Sequence, residues 1–269
     1  MDAAAYTRRI GYEGPLEPTL EVLTGLCAAH IRTVPFENLA IHEGARISLE
    51  PEALFHKVVL RRRGGYCFEL NGLFSALLKA LGFQVEHLLG RVWFSNPTAP
   101  VPTHQVSRVA LGGERYLVDV GFGARVLRAP LPWRLDAPVA QGPDTFRLVR
   151  TDNDEVMLQS HEPEGWRNLY SLLPCTVRPQ DYVPANHYTS THPASSFVLN
   201  AVAALTTPEG RITFRNRELR RTTAAGTEVR ELAHPAELAA LLASEFGLED
   251  WTDRAALERF LFPGPGSGR

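Results

Sequence analysis

Apolar residues recur at helical spacing in the first third of the chain. The clearest run lies between Leu70 and Leu81, where leucine or phenylalanine occupies positions i, i+3, i+4, i+7, i+8 and i+11, and Gly82 follows as a natural end. Shorter helical patterns occur at residues 20–27 and 51–59. We therefore predict that residues 1 to about 83 form a helical region.

The pattern changes to that of strands from about residue 84. Valine, leucine and aromatic residues dominate segments 85–94, 105–111 and 115–120, and Gly112-Gly113 predicts a two-residue hairpin turn between the last two. The remaining predicted elements are strands at 145–149, 155–159 and 212–214 and helices at 235–246 and 255–262. Helices followed by antiparallel strands and then by mixed elements predict an α+β fold rather than a doubly wound parallel sheet.

Composition and charge argue against several classes of protein. The 269 residues include 28 basic and 30 acidic side chains, a net charge of −2, whereas nucleic-acid binders usually carry a basic excess. The longest apolar run, residues 197–205, is interrupted by Asn200 and is far shorter than the roughly 18 residues that cross a membrane. We therefore expect neither nucleic acid nor a membrane as a partner.

Cysteine usage and the beginning of the chain indicate a reduced environment. The three cysteines, Cys27, Cys67 and Cys175, cannot all pair, and the first residues lack the apolar core of a secretion signal. These features predict a cytoplasmic protein. No H-E-x-x-H motif or Cys/His quartet occurs in the sequence, so we expect no metal site.

The segment around Cys67 contains the main candidate for chemistry. Gly64 and Gly65 break the chain directly before the strongest predicted helix, which places Cys67 at or near its first turn. Unpaired backbone N–H groups at a helix start favour a thiolate, and the arginines at 61–63 add positive charge. The same N–H groups could hold a developing oxyanion.

A structural interpretation of Cys67 stays open beside the catalytic one. A small thiol at a helix start is also a common core residue. We interpret Cys27, on an apolar helical face, as a core residue, and Cys175, which follows Pro174 in a loop or at a strand edge, as a structural residue. Two polar residues interrupt the apolar stripe of the helix. Glu69 is placed to pair with Arg63, and Asn71 is placed to tie down a loop.

His104 is the histidine that hairpin geometry identifies as a candidate base. If Gly112-Gly113 is a two-residue loop, the numbers of opposed residues sum to 225, and residue 106 faces residue 119. His104 and Asp119 then share a face as diagonal neighbours, roughly 7–8 Å apart at Cα and within reach of their side chains. A histidine N–H would satisfy the buried carboxylate and fix the tautomer of the ring.

Two alternatives to this pair stay open. A three-residue loop would place the two side chains on opposite faces of the hairpin. Alternatively, His104 is a surface residue of a strand, and Asp119 is a hydrogen-bonded turn residue.

Five motifs occur in a fixed order between residues 35 and 200. They are PFENL at 35–39, RGGYCFELNG at 63–72, THQV at 103–106, VDVGFG at 118–123 and STHPASSF at 190–197. With these motifs the sequence resembles the arylamine N-acetyltransferase family. The R-G-G-x-C-x-E-x-N string is highly specific, whereas the other motifs are moderately so.

The resemblance implies an α+β fold of three parts. An N-terminal helical bundle over residues 1–83 would carry the nucleophile, and a central antiparallel β-barrel over 84–189 would carry the histidine and the aspartate. A C-terminal α/β lid would follow over 190–269. The resemblance also implies the arrangement of papain-like cysteine enzymes.

The chemistry that the resemblance implies is a ping-pong transfer. Cys67, His104 and Asp119 would form a catalytic triad. The acetyl group of acetyl-CoA would pass through an acetyl-cysteine to the nitrogen of an arylamine, a hydrazine or an arylhydroxylamine. Acetyl-CoA would be a co-substrate, with no permanently bound cofactor.

The resemblance also suggests binding residues. The amine would contact Phe36, Tyr66 and Phe122, and coenzyme A would lie near Thr103, Gly123, Tyr188 and Phe197. No phosphate-binding glycine motif occurs, so coenzyme A would enter a cleft between barrel and lid. A homodimer stays open.

Three other functions compete with this one. An amide synthase of the same fold would release an aminobenzoate-started polyketide as a macrolactam through the same acyl-cysteine. A cysteine protease or transglutaminase would share the thiolate and the imidazole. A non-catalytic binding module would keep Cys67 as an inert core residue.

Overall fold

The computed structural model describes residues 1–94 and 100–263, in which helices dominate the first 80 residues. The α-helices are α1 (Ala3–Ile10), α2 (Leu20–Thr33), α3 (Leu39–His42), α4 (Pro51–Phe55), α5 (Cys67–Ala80), α6 (Tyr182–Thr191), α7 (Ser196–Leu199), α8 (Ala236–Phe246) and α9 (Arg254–Leu261). The helices predicted from apolar spacing are confirmed, and α4 continues as a π-helical turn, His56–Leu60.

The strands lie mainly in the middle of the chain and form two antiparallel sheets. They are β1 (Phe36–Glu37), β2 (Gln84–Val92), β3 (Pro102–Leu111), β4 (Glu114–Val118), β5 (Leu131–Pro132), β6 (Val139–Gln141), β7 (Asp144–Arg150), β8 (Val156–Glu162), β9 (Gly165–Leu172), β10 (Val202–Thr206), β11 (Gly210–Arg215), β12 (Glu218–Thr223) and β13 (Gly226–Glu231). Helices and antiparallel sheets together confirm the predicted α+β class.

The larger sheet has eight strands in the order β5-β4-β3-β2-β9-β8-β7-β6 and curls into a nearly closed barrel. The smaller sheet has the order β1-β10-β11-β12-β13. Its first strand comes from the helical region and pairs with β10, with Phe36 opposite Ala204. A strand from before α5 is thereby joined to the sheet of the C-terminal region.

The β3–β4 hairpin has the register expected from its glycine pair. Ser107 lies opposite Val118 and Leu111 opposite Glu114, and both pairs sum to 225. Gly112 and Gly113 have φ values of 60° and 82°, the left-handed conformation that a two-residue hairpin turn requires at both central positions. The two-residue loop is confirmed, and the three-residue alternative is wrong.

Helix α5 packs its apolar face into the helical core and its polar face onto the barrel. Leu70, Leu73 and Phe74 are fully buried among side chains of α1, α2 and α4. On the opposite side, the hydroxyls of Ser75 and Ser107 are hydrogen-bonded at 2.7 Å, which fixes α5 against β3. Because the helix is buried on both sides, its N-terminal residues are held rigidly at the edge of the barrel.

His30 is a buried histidine at the contact of α1 and α2. Its Nδ1 and the Tyr6 hydroxyl are hydrogen-bonded at 2.8 Å, and its ring packs edge-on against Phe74. Burial, together with the charge of Arg9, lowers the pKa of His30 to about 3. The ring is therefore neutral in the folded protein at physiological pH.

We expect this histidine to contribute to acid destabilisation. Below pH 6.5 the unfolded chain binds a proton at His30, but the folded chain does not do so until about pH 3. The free energy of unfolding should therefore fall by about 2 kcal/mol at pH 5 through this group. Urea denaturation at pH 7 and pH 5 measures the loss. A His30→Gln variant should lose less stability between these pH values, and equal losses would contradict the assignment.

No helix in the described ranges 1–94 and 100–263 is long and apolar enough to cross a membrane. Within the same ranges, no group of three or more histidine, cysteine, aspartate and glutamate side chains is placed to hold a metal ion.

Candidate active site

Cys67 is the first residue of α5, at the contact between this helix and β3. The preceding residue, Tyr66, is extended, and the Glu69 carboxylate accepts its backbone N–H at 3.1 Å. The Cys67 sulfur donates to the carbonyl oxygen of Thr103 at 3.5 Å, and only 4% of Cys67 is exposed. The sulfur thus lies at the positive end of the helix dipole, beside the strand that carries His104.

His104 and Asp119 form a buried hydrogen-bonded pair. Nε2 of His104 and Oδ2 of Asp119 are 2.8 Å apart, and each residue is 2% exposed. The Cys67 sulfur is also close enough to the imidazole to contribute to raising the pKa of His104. Because Nε2 faces the carboxylate, Nδ1 is the ring nitrogen available to the sulfur. The prediction that these two side chains reach each other across the hairpin is confirmed.

The Asp119 carboxylate is held from its other side by α5 and by its own loop. Its Oδ1 accepts from the Asn71 side chain at 2.8 Å and from the Gly121 backbone at 2.9 Å. Asn71 also donates to the Gln105 carbonyl at 2.7 Å and accepts from the Val120 backbone at 2.9 Å. The prediction that Asn71 ties down a loop is confirmed.

Gly121 permits the loop after β4 to approach the start of α5. A Cβ atom at this position would lie 3.0 Å from the Cα atom of Cys67 and 2.9 Å from the Asn71 amide nitrogen. Such contacts are closer than side chains tolerate, so only glycine fits here without displacement of the helix. The distance between the cysteine and the aspartate therefore depends on this glycine.

The charges of the site stabilise one another. Burial alone lowers the pKa of His104, but the Asp119 carboxylate and the Cys67 sulfur outweigh burial and raise the pKa of His104 to about 10. Burial raises the pKa of Asp119, but His104, Asn71 and the Gly121 N–H together lower it below its ordinary value. At neutral pH the ring is therefore an imidazolium that lies between the Asp119 carboxylate and the Cys67 sulfur.

Tyr170, on β9, completes the surroundings of the imidazole. Its ring centroid lies 4.6 Å from that of His104 and 4.9 Å from that of Phe122, and the residue is fully buried. Burial and the nearby Asp119 carboxylate raise the pKa of Tyr170 well above its usual value. Sequence analysis missed this residue, because no local pattern links β9 to the β3–β4 hairpin.

Three half-buried aromatic rings lie near the buried cysteine–histidine pair. The Phe122 ring is 5.0 Å from the His104 ring, and the Phe36 and Phe197 rings are 5.9 Å apart and pack on the apolar cluster that contains Cys67. We call the rings of Phe36, Phe122 and Phe197 the apolar border of the site.

Comparisons with known proteins agree with the sequence motifs. Residues 19–252 match a family model described as N-acetyltransferase. A curated arylamine N-acetyltransferase of Mycobacterium tuberculosis is 42% identical, and the match covers 96% of this chain and 94% of that relative. The chain belongs to the arylamine N-acetyltransferase family. The resemblance found in the sequence is thereby confirmed.

Other members of the arylamine N-acetyltransferase family extend the comparison. A Salmonella typhimurium relative named arylamine N-acetyltransferase / N-hydroxyarylamine O-acetyltransferase is 37% identical over 77% of this chain and 73% of its own. The structure of the Mycobacterium marinum arylamine N-acetyltransferase in complex with CoA is similar to this one with a TM-score of 0.91. It is 36% identical, with 97% of this chain and 98% of that chain covered.

Three more residues that the resemblance to arylamine N-acetyltransferases suggests, Tyr66, Gly123 and Tyr188, lie in different parts of the structure. Tyr66 is fully buried, and its hydroxyl donates to the Asn186 side chain. Gly123 lies under the Phe36 ring, where a Cβ atom would come within 3.2 Å. Tyr188, on α6, is half-buried and stacks on His192 with 4.5 Å between the ring centroids.

The prediction that Arg63 pairs with Glu69 is wrong. Arg63 is buried and instead contacts Glu37 at 3.2 Å and Glu43 at 3.0 Å. Glu69 pairs with Lys57 at 2.6 Å. The π-helical turn after α4 brings Lys57 to the first turn of α5, whereas the Arg63 side chain reaches the segment from β1 to α3. A π-helical turn was not part of the sequence prediction.

Proposed function

We propose that this protein transfers the acetyl group of acetyl-CoA to the nitrogen of an arylamine, a hydrazine or an arylhydroxylamine. The observation that carries the proposal is the position of the Cys67 sulfur at the start of α5, beside an imidazole that is hydrogen-bonded to a buried carboxylate at 2.8 Å. The relatives, which are an arylamine N-acetyltransferase and an N-hydroxyarylamine O-acetyltransferase by name, support arylamines and arylhydroxylamines as substrates.

In the first half-reaction, Cys67 is the nucleophile. The thiolate forms a bond to the acetyl carbon of acetyl-CoA, and the carbonyl oxygen becomes an oxyanion. The bond from that carbon to the sulfur of coenzyme A then breaks. The imidazolium of His104 protonates the departing thiolate, so coenzyme A leaves as a thiol and the enzyme retains an acetyl-cysteine beside a neutral imidazole.

In the second half-reaction, the neutral imidazole acts as the base. The amine nitrogen bonds to the acetyl carbon of the acetyl-cysteine and gives up a proton to His104. The bond between that carbon and the Cys67 sulfur breaks, the amide leaves, and the thiolate–imidazolium pair is restored. Asp119 keeps the ring oriented and stabilises its charged form in both halves.

The oxyanion would be held by the first backbone N–H groups of α5. The earliest helical hydrogen bonds in α5 are donated by Glu69 and Leu70, both to the Tyr66 carbonyl. The N–H groups of Cys67 and Phe68 precede these bonds and point out of the helix start. An N–H donor at such a position contributes roughly 3 kcal/mol to transition-state stabilisation in comparable enzymes.

We assign the amine to the apolar border, in contact with Phe36 and Phe122. Tyr66 would form the base of this amine site. Coenzyme A would approach past Thr103, Gly123, Tyr188 and Phe197, in a cleft between the barrel and the C-terminal region. This assignment goes with a three-part layout of helical bundle (1–83), barrel (84–189) and α/β lid (190–269), arranged as in papain-like cysteine enzymes.

A thiol-release assay tests the function. With acetyl-CoA and either an aniline or an arylhydrazine, we expect saturable release of free coenzyme A and the N-acetyl product. Varying both substrates should give the parallel double-reciprocal lines of a ping-pong reaction. Turnover only with an aminobenzoate-started polyketide thioester would instead indicate an amide synthase. Cysteine-dependent peptide cleavage without acetyl transfer would indicate a protease.

A further inference from the structure

The side chain of Asn38 connects the start of α3 to a segment that lies about 160 residues later in the chain. We call residues 195–202, which contain α7, the α7 segment. Asn38 Nδ2 donates to the carbonyl oxygens of Phe197 at 2.9 Å and Asn200 at 2.8 Å, and its Oδ1 accepts from the Val202 backbone at 2.8 Å. Asn38 therefore uses both ends of its amide to hold the segment at three points.

Asn38 is itself firmly fixed. It is 1% exposed, and its backbone N–H donates to the Val202 carbonyl at 3.2 Å. The preceding residue, Glu37, is buried. Its carboxylate pairs with the Arg63 guanidinium and accepts a hydrogen bond from the backbone N–H of Leu39 at 2.7 Å. Asn38 is therefore held in place by its surroundings. Its three hydrogen bonds in turn attach the α7 segment to a rigid part of the fold.

The α7 segment carries Phe197 to the edge of the candidate active site. The ring centroid of Phe197 is 5.9 Å from that of Phe36 and 5.6 Å from that of Tyr66, the residue before Cys67. Ser196 and Leu199 are exposed, Leu199 by 54%, and Phe197 and Val198 are half-buried. Because apolar packing around Phe197 is limited, the position of its backbone depends on the hydrogen bond that its carbonyl group accepts from Asn38.

We propose that Asn38 is a positioning residue that holds Phe197 as a wall of the acetyl-transfer site and thereby sets how much acetyl-cysteine reacts with amine rather than with water. This inference rests on the proposed function. In the competing reaction, a water oxygen bonds to the acetyl carbon, the bond to the Cys67 sulfur breaks, and acetate leaves. One water proton passes to His104 and restores the imidazolium, and the other is released with the acetic acid as it ionises.

The physical basis is exclusion of water next to an activated thioester. The acetyl-cysteine is attacked by whichever nucleophile reaches it beside the His104 base, and water is always present at high concentration. An apolar ring held over the site keeps water out and supports an aromatic amine by stacking. If the three hydrogen bonds of Asn38 are removed, the ring loses its fixed position and both effects weaken.

The test uses Asn38→Ala and compares two rates in the full-length protein. We expect hydrolysis of acetyl-CoA in the absence of amine to rise about fivefold or more and the KM for an aniline to rise about tenfold. Because Phe197 also borders the proposed path of coenzyme A, Cys67 acetylation is measured at saturating acetyl-CoA. Its rate there, and the pH profile of Cys67 alkylation by iodoacetamide, should stay near those of the wild type. A merely structural role would lower all of these activities together.

Two further variants test whether the hydrogen bonds of Asn38 cause the change in the ratio of hydrolysis to amine transfer. Asn38→Asp keeps the acceptor for the Val202 N–H but has no donor for the two carbonyl groups, so it should behave like Asn38→Ala. Asn200→Ala is the matched control, since it removes a side chain of the same segment that bonds Ser196, Arg215 and Asn216 but not Asn38. It should leave the ratio of hydrolysis to amine transfer unchanged.

Each outcome decides the proposal. An unchanged ratio in a folded Asn38→Ala protein would overturn it, as would a shift of equal size in Asn200→Ala. Unfolding of both Asn38 variants would also contradict it, because the contacts would then stabilise the fold rather than the wall. If the wild type forms no acetyl-cysteine, the proposed function fails, a result distinct from a normal wild type with unaffected variants.

Discussion

Incubation with acetyl-CoA alone is expected to place one acetyl group on the peptide that contains Cys67. Without an amine only the slow reaction with water removes the acetyl group, so the acetyl-enzyme should accumulate to about one equivalent after an initial release of an equal amount of coenzyme A. Mass spectrometry of a proteolytic digest measures the site and the extent of the modification. This is the most direct test of the sulfur as a nucleophile.

The Cys67→Ala variant should take up no acetyl group and show no amine acetylation above background. Cys27 and Cys175 remain in this variant and serve as internal controls. Cys27 is buried, and burial, with the nearby Asp119 charge, raises the pKa of its thiol, whereas Cys175 is exposed. Acetylation of Cys175 at the same rate in both proteins would show nonspecific chemistry and would contradict the assignment of Cys67.

Replacement of Asp119 by asparagine is expected to reduce kcat/KM for acetyl transfer by about a thousandfold or more. The variant keeps the shape of the side chain but loses the charge that opposes the effect of burial on His104. The pKa of His104 should then fall, because burial disfavours the imidazolium. Without a positively charged ring beside it, the Cys67 sulfur loses its electrostatic activation and becomes a weaker nucleophile.

Alkylation by iodoacetamide between pH 5 and pH 9 measures this change without substrate. In the wild type, we expect Cys67 to react faster than a free thiol below pH 8. In Asp119→Asn, this advantage should disappear. Asp250→Asn is a suitable control, because that carboxylate is half-exposed, pairs with Arg61 and does not contact the site. An Asp119→Asn variant with activity within threefold of the wild type would refute the role of the carboxylate.

Local patterns predicted the parts of the site that depend on neighbouring residues. The glycine pair before a strong apolar stripe placed Cys67 at a helix start, where the structure has it. The two glycines of the hairpin determined the register of β3 and β4, and with it the approach of His104 to Asp119. In both cases backbone geometry over a few residues decides the outcome, so sequence alone is enough.

The electrostatic partners of the site could not be predicted in the same way. Arg63 and Glu69 lie close enough in sequence to suggest a pair, yet each finds a different partner from another element. Tyr170 contacts His104 across about 65 residues, and Asn38 contacts Phe197 across about 160. Helix α6 also escaped prediction, since Tyr182–Thr191 has no amphipathic pattern to identify it. Such contacts depend on how whole elements pack.

The sequence by itself determined the fold class, the helix that begins at Cys67, the hairpin register and the family. These follow from periodic burial, from turn chemistry and from short motifs, all of which act over neighbouring residues. Only the tertiary structure decided which charges face one another, that Asn71 and Gly121 support Asp119, and that Asn38 holds Phe197 beside the site. Those features arise because burial forces each polar group to find a partner, and which partner is within reach depends on the packing of distant segments.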